Sequence, residues 1–249
     1  MNKSKILLLI IFFSYTQIIL SQKIETDRPD QTEASSLVPS KILQIETGAF
    51  VESLGAIDAV TYNTTLIRYG LLENLELRLG FDNAEVKLNS NTVASGFLPL
   101  LLGVKIGVTE EKGVLPEIAF IGHVNIPFLA SSDFKTKSTG TDFRFSLSHT
   151  LSEKSNLGYN IGMAWDGDIT TAIYVYTVAY GYSFADKLGG YVEIYGDAYE
   201  DNSFNHLWDV GLTYLINENI QLDISGGTGI TKDIQDLFLS AGISFRITK

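Results

Sequence analysis

The feature that most constrains this chain is a strict alternation of apolar and polar residues, which is clearest in residues 66–81. Leucine or phenylalanine occupies every odd position from Leu75 to Phe81, whereas Glu76 and Arg78 occupy even positions. Successive side chains of a strand point to opposite faces, so this strand has one apolar face and one charged face. A polar turn separates it from a preceding alternating run, and the stretch therefore predicts a β-hairpin.

The same pattern recurs along the chain, and no later apolar run is long enough for a helical membrane span. Many tyrosines and glycines and few prolines suit such a sheet. The alternation predicts about twelve strands, at residues 42–54, 59–71, 75–88, 97–108, 114–126, 141–151, 157–165, 171–184, 188–197, 207–216, 220–229 and 237–247.

The predicted connections are short after even-numbered strands (72–74, 110–113, 153–156, 185–187 and 217–219). Most of the others are longer (89–95, 127–140, 198–205 and 230–236). Short periplasmic turns opposite longer external loops are typical of outer-membrane proteins. We therefore predict an all-β fold, a single antiparallel up-and-down transmembrane β-barrel of about 12 strands, apolar outside and polar inside, with both termini at the periplasmic end.

The first residues predict export. Two lysines, an apolar run and the small residue Ser21 are typical of a secretory signal peptide, here residues 1–21, with cleavage near Ser21. Residues 22–41 lack periodicity and are interpreted as a periplasmic N-terminal segment before the barrel at 42–249. Within it, Asp27-Arg28-Pro29-Asp30 could form a lumen plug or a docking tag, but a solvated leader is the favoured interpretation. The expected location is the outer membrane of a Gram-negative-type bacterium.

The formal charge of −11 argues against nucleic acid as a partner, since phosphates require basic patches. The chain has no cysteine, which excludes lipoprotein attachment and disulfides. Three scattered histidines offer no metal-ligand cluster, so we expect neither a metal nor another cofactor.

Charged residues with inward parity are the candidates for function. They could line a polar pore and select its solute, or they could form a salt-bridge network that closes the lumen; the sequence leaves both open. Arg68, Glu76 and Arg78 lie near a periplasmic turn and predict a cluster at that end. The full set is Glu46, Arg68, Glu76, Arg78, Lys105, Glu117, Asp142, Arg144, Glu193, Asp209, Asp223 and Arg246.

Residues 25–33 (ETDRPDQTE), 38–39 (VP), 44–48 (QIETG), 66–71 (LIRYGL) and 75–78 (LELR) carry a family resemblance. The chain resembles outer-membrane barrels of the "putative MetA-pathway of phenol degradation" family. The resemblance implies a channel or transporter for passive passage of small, hydrophobic or aromatic molecules. Its partners would be outer-membrane lipid, a small-molecule solute and the barrel-assembly machinery. Such barrels often end on an aromatic residue, where this chain has Ile247 followed by Thr248 and Lys249.

Two other functions stay open from the sequence. One is a non-conducting structural or surface-binding barrel that uses the external loops 127–140 and 198–205. The other is a lipid-modifying enzyme, for which His149 has the outward parity required. Its neighbour Ser148 has inward parity, and no Ser-His-acid set is positioned by spacing, so we expect no enzymatic activity.

Overall fold

A computed structural model describes residues 23–200, 203–231 and 237–248. The predicted signal peptide lies outside the described residues. Among the described residues, no helix is long and apolar enough to cross a membrane.

In the described part of the chain the fold is all-β, with two short 3₁₀ turns at Pro127–Leu129 and Ser132–Phe134. The strands are β1 Leu43–Leu54, β2 Ile57–Leu72, β3 Leu75–Leu88, β4 Asn91–Phe97, β5 Leu100–Thr109, β6 Glu117–Ile126, β7 Gly140–Ser152, β8 Ser155–Trp165, β9 Ile173–Ala185, β10 Leu188–Tyr199, β11 Phe204–Asn217, β12 Ile220–Gly229 and β13 Leu237–Ile247.

Twelve of these strands close into a ring. Neighbouring strands pair antiparallel from β5 to β13, and β13 pairs with β1, β1 with β2, β2 with β3, and β3 with β5. Closure leaves no free edge within the ring, so the backbone groups of each strand find partners in its neighbours. The predicted antiparallel up-and-down barrel is confirmed, with β4 as one additional strand.

The alternation of faces is as predicted. On β3, Glu76 and Arg78 are buried, and the intervening Leu77 is 40% exposed to the outside. On β5, Lys105 is fully buried between the outward Val104 and Ile106. Because register pairs face the same side, apolar side chains form a continuous outer band and polar side chains line the interior.

The region around β4 differs from the prediction. Residues 89–95, expected to form a loop, instead form a tight turn at Asn89 and Ser90 and most of strand β4. Strand β4 pairs with Asn83 to Leu88 of β3, and β5 pairs with Leu75 to Gly80. The two strands share one neighbour because Pro99, which lacks a backbone N–H, interrupts the run between them.

The observed starts of β2 and β6 differ from the predicted ones. The connection between β1 and β2 is only residues 55–56, so short connections are not confined to the periplasmic end. Strand β6 begins at Glu117 rather than at Val114, because residues 110–116 form a loop closed by paired hydrogen bonds between Lys112 and Leu115. Val114 is 95% exposed at the tip of this loop.

Candidate functional site

Residues 23–41, here called the plug, lie inside the barrel. The plug enters at the periplasmic end, where Ile24 N–H donates to the Glu218 carbonyl (2.9 Å) and Lys23 Nζ to the Asp186 carbonyl (3.2 Å). It leaves at the same end, where Lys41 N–H donates to the Gly70 carbonyl (2.7 Å) and β1 begins. The favoured interpretation of this segment as a solvated leader is wrong, because its polar groups are paired with the barrel wall.

Asp27 is the centre of the plug's strongest attachment. Its carboxylate lies 3.1 Å from Arg68 Nη1, 3.0 Å from Arg78 Nη2 and 3.0 Å from Lys105 Nζ, and all four side chains are buried. Burial raises the pKa of Asp27, but the three cations outweigh it and hold the pKa below its usual range. We call these four residues the Asp27 clamp; it fixes the plug to β2, β3 and β5.

A second set of carboxylates balances the clamp's cations. Glu76 accepts two hydrogen bonds from Arg68, at 2.8 and 2.9 Å, and Glu46 accepts another at 2.8 Å. The plug residue Glu33 lies 2.7 Å from Arg78 Nη2. The structure thus brings Arg68, Glu76 and Arg78 together with Glu46 in one buried network, and the sequence had indicated the first three as a cluster.

The remaining inward charges are distributed around the wall. Asp142 lies 3.2 Å from His123 Nδ1 and 3.6 Å from Arg144 Nε, so these three residues form a second cluster on the wall. Four other members bind the plug. Glu117 accepts a hydrogen bond from Ser35 (2.5 Å), Asp223 accepts one from Arg28 (3.0 Å), and Glu193 accepts one from the Gln31 N–H (2.8 Å). Arg246 donates to the Lys23 carbonyl of the plug (3.0 Å) and also to Gln44 of β1.

Asp209 is the remaining candidate, and it lies directly opposite Glu193 in the register of β10 and β11. Its Oδ2 accepts from the Tyr191 hydroxyl at 3.3 Å. Both carboxyl groups are almost completely buried beneath the plug. The clamp contains three cations, whereas the strands around the Glu193–Asp209 pair supply none: β8 to β12 contain neither lysine nor arginine.

Neutral wall residues complete the plug's hydrogen bonding. Asn160 accepts from the Glu33 N–H (2.8 Å) and donates to its carbonyl (3.0 Å), and Ser146 donates to that carbonyl as well. Thr177 lies 2.6 Å from Thr32. These contacts satisfy plug backbone that would otherwise be buried without partners. The sequence gives no signal for the role of Asn160 and Ser146, because their partners come from a distant, aperiodic segment.

A cavity of about 630 Å³ lies on the periplasmic side, between the plug and the wall from β6 to β12. Its wall side is lined largely by small or polar residues, such as Gly158, Ala179 and Ser183. The plug contributes Arg28 and Asp30. The arrangement can hold water and a small polar molecule next to the plug.

No group of three or more histidine, aspartate or glutamate side chains in the part of the chain that the structure describes is arranged to hold a metal ion. The polar groups of the lumen instead bind one another and the plug. The site is therefore best described as a charged lumen with a segment of the chain docked inside it.

The closed strand ring, the apolar outer band and the charged interior define a β-barrel of the outer-membrane type. The chain belongs to the family described as "Putative MetA-pathway of phenol degradation", whose model matches residues 26–247. The family resemblance expected from the sequence is confirmed. The match begins inside the plug, which shows that this segment is part of the family's sequence pattern.

Solved structures share the fold. The COG4313 outer membrane channel from Pseudomonas putida F1 is 11% identical, with a TM-score of 0.67 over 88% of this chain and 100% of that chain. The KdgM porin in complex with disordered oligogalacturonate is 10% identical (TM-score 0.57, 82% and 99% covered), and the NanC porin is 11% identical (TM-score 0.54, 82% and 100% covered). No curated protein sequence matches the chain.

Proposed function

We propose that this protein is an outer-membrane channel for the passive passage of small molecules. The observation that carries the proposal is the interior itself: a ring of twelve strands encloses charged and polar side chains and a 630 Å³ cavity rather than a packed apolar core. Twelve-stranded barrels lie between the packed eight-stranded barrels and the wide porins in internal space. The family description and the channels and porins that share the fold support the same function.

The proposed solutes are small molecules, including aromatic ones that carry a polar group. The family description names phenol degradation, and a phenol has a hydroxyl that the polar lining could bind while its ring passes the small residues of β8 and β9. The twelve inward charges are proposed to set selectivity. Of these, Glu117 has the most direct position, because it lines the cavity.

Purified protein in planar bilayers tests the channel function. We expect discrete conductance steps, and proteoliposomes should admit polar solutes up to a defined size. Folding is checked independently by the heat-dependent mobility shift of a closed barrel on denaturing gels. A correctly folded barrel that stays silent at every voltage and pH, with proteoliposomes that admit no solute, would contradict the proposal.

One observation favours a non-conducting barrel as the second candidate. The plug binds side chains on β1 to β3, β5 to β10, β12 and β13, so it contacts most of the inner circumference. In that case the buried ion pairs serve only to stabilise a closed structure, and the protein would act through its external loops. The silent result described above is the outcome that this second function predicts.

We propose no catalytic role. On the outer face His149 Nε2 is paired with the Tyr159 hydroxyl at 3.2 Å, and the rings are stacked. Ser148 faces the cavity on the opposite side of the same strand. A nucleophile and its base must lie within hydrogen-bond reach, which this arrangement does not provide.

A further inference from the structure

The plug is attached to the two sides of the barrel by opposite kinds of interaction. On the side of β2, β3 and β5, the Asp27 clamp joins one carboxylate to three cations. On the side of β10 and β11, Asp30 faces Glu193 and Asp209, which are carboxyl groups like its own. Opposite charges within about 4 Å attract and like charges repel, so the plug is held firmly on one side and weakly on the other.

The plug's contacts with β10 come from neutral donors. Gln31 N–H and Thr32 Oγ1 donate to Glu193, at 2.8 and 2.5 Å. Asp209 and Glu193 share a side-chain hydrogen bond. Two carboxyl groups form such a bond only while one of them is protonated, so ionisation of both replaces the bond with repulsion.

The charges that face Asp30 come from every element packed against it. Strand β10 supplies Glu193 and the Tyr191 hydroxyl, β11 supplies Asp209, and the plug supplies Asp27, whose charge the clamp already offsets. The neighbouring cation, Arg28, is engaged with Asp223 of β12. Asp30 is partly buried at the edge of the cavity, and this burial, followed by the charges of Glu193, Asp209 and Asp27, raises its pKa above the usual range.

We propose that the plug is a gate, hinged at the Asp27 clamp, which leaves the wall of β9 to β11 when Asp30, Glu193 and Asp209 become ionised. The inference rests on the proposed channel function. The existing cavity lies on this side, between the plug and β6 to β12, so movement of the plug away from this wall extends it into the lumen. The small residues of β8 and β9 leave room for a solute there.

The direction of the pH dependence follows from the docked state. Docking raises the pKa of Asp30, so docking is most favourable when the group is protonated, below its ordinary value of about 3.9. The preference for the docked plug falls as the pH rises through the raised value. The channel should therefore be closed in acid and open as the pH rises.

A reversible lock tests the hinge. The chain has no cysteine, so Thr32→Cys with Thr177→Cys, whose hydroxyls lie 2.6 Å apart, creates one disulfide between the plug and β9. The matched control is Thr47→Cys with Thr65→Cys, 2.7 Å apart on neighbouring wall strands and away from the plug. At pH 8 we expect the oxidised plug variant to lose its conductance and to regain it on reduction, while the control conducts in both states.

A second arm tests the trigger. The open-to-closed ratio of the unaltered protein should rise by at least about tenfold between pH 4 and pH 8, because docking raises the pKa of Asp30. Glu193→Gln with Asp209→Asn should stay closed from pH 4 to pH 8, whereas Glu85→Gln, on the outer surface, should keep the wild-type profile.

The outcomes separate the gate from the channel. If the conductance changes neither with the disulfide nor with pH, the gate is wrong but the channel function is unaffected. If neither the reduced plug variant nor the unaltered protein conducts at pH 8, the channel function itself is wrong. If the double carboxamide variant does not fold, the disulfide arm still decides, because it leaves Asp30, Glu193 and Asp209 unaltered.

Discussion

Asp27 is the plug residue that joins three buried cations of the barrel wall. Arg68, Arg78 and Lys105 are buried charges that would each cost several kcal/mol without partners, and Asp27 contacts all three. A surface ion pair contributes little, but removing one partner of a buried pair leaves an uncompensated charge behind. The loss of stability on removing the Asp27 charge is therefore determined by the three buried cations that lose this partner.

Asp27→Asn should lower the free energy of unfolding by about 3–5 kcal/mol, since it keeps the shape of the side chain but removes its charge. Urea unfolding of the protein in lipid vesicles measures this. Asp58→Asn, at an exposed position near the first external turn, is the control and should change stability by less than about 0.5 kcal/mol. Equal effects of the two substitutions would show that the clamp is not a major source of stability.

Glu117 connects the ion network to the proposed passage. It lines the cavity and accepts a hydrogen bond from Ser35 of the plug. Removing its charge makes the passage less negative, so Glu117→Gln should shift the reversal potential in a salt gradient toward lower cation preference. Glu85→Gln, in which the removed charge lies outside the lumen, should leave the reversal potential unchanged. A common shift in both variants would point to the overall charge of the protein.

At the scale of elements, the external hairpin of β3 and β4 shows where sequence patterns are weak. Asn89 and Ser90 have φ values of 49° and 67°, in the left-handed region that two-residue hairpin turns require. Asn-Gly is the usual signal for such a turn, and here serine takes the second position. With Thr92, Ser95 and Asn91 in the following strand, the segment has the composition of a loop, which is why strand β4 was not predicted.

Ser90→Gly should stabilise the hairpin by about 1 kcal/mol, because it removes the steric cost of a left-handed conformation. Gly55→Ala provides the reverse test, since Gly55 has a φ of 59° in the turn between β1 and β2, with open space around the position of an added Cβ. Thermal unfolding should move up for the first variant and down for the second. A shift in the same direction for both would mean that backbone strain does not control these turns.

The plug escaped prediction for a different reason. Strand parity needs only local sequence, and it placed Glu76, Arg78 and Lys105 inside correctly. The plug has no period, and its conformation is set by partners as far away as Asp223 and Ser240. Only the charged motif around Asp27 and Arg28 indicated that this segment could enter the lumen, and a solvated loop has the same composition.

At the scale of the whole molecule, the outer band determines how the barrel sits in lipid. Ile224 lies in the middle of β12 and is 56% exposed, and Ile216 lies beside the periplasmic turn that precedes this strand. An arginine at the bilayer midplane costs about 2–4 kcal/mol, falling to about 0–1 kcal/mol near the interface.

Ile224→Arg should therefore destabilise the folded barrel in vesicles by about 2–4 kcal/mol, and Ile216→Arg by less than about 1 kcal/mol. Folding yields into vesicles, together with urea titrations, compare the two. If the substitutions cost the same, the band does not span the membrane at the depth that the strand register indicates.

The sequence was thus sufficient for the barrel, its faces and most of its strands, since each of these follows from a period of two. Whether the lumen is a passage or a sealed interior depends on contacts between strands and the plug, which no local pattern records. Glu193 and Asp209 illustrate the limit: parity placed both inside, but only the register shows that they lie opposite each other.

The contacts of Arg28 make the position of the plug depend on the last two strands of the barrel. Its guanidinium binds Thr64 of β2, Asp223 of β12 and Ser240 of β13, and so joins the beginning of the chain to strands up to 212 residues later. Those contacts span the seam where the last strand meets the first. A product that terminates before β12 has neither Asp223 nor Ser240, and its Arg28 retains only Thr64 of these three partners. Loss of the last two strands therefore also weakens the attachment of the plug inside the barrel.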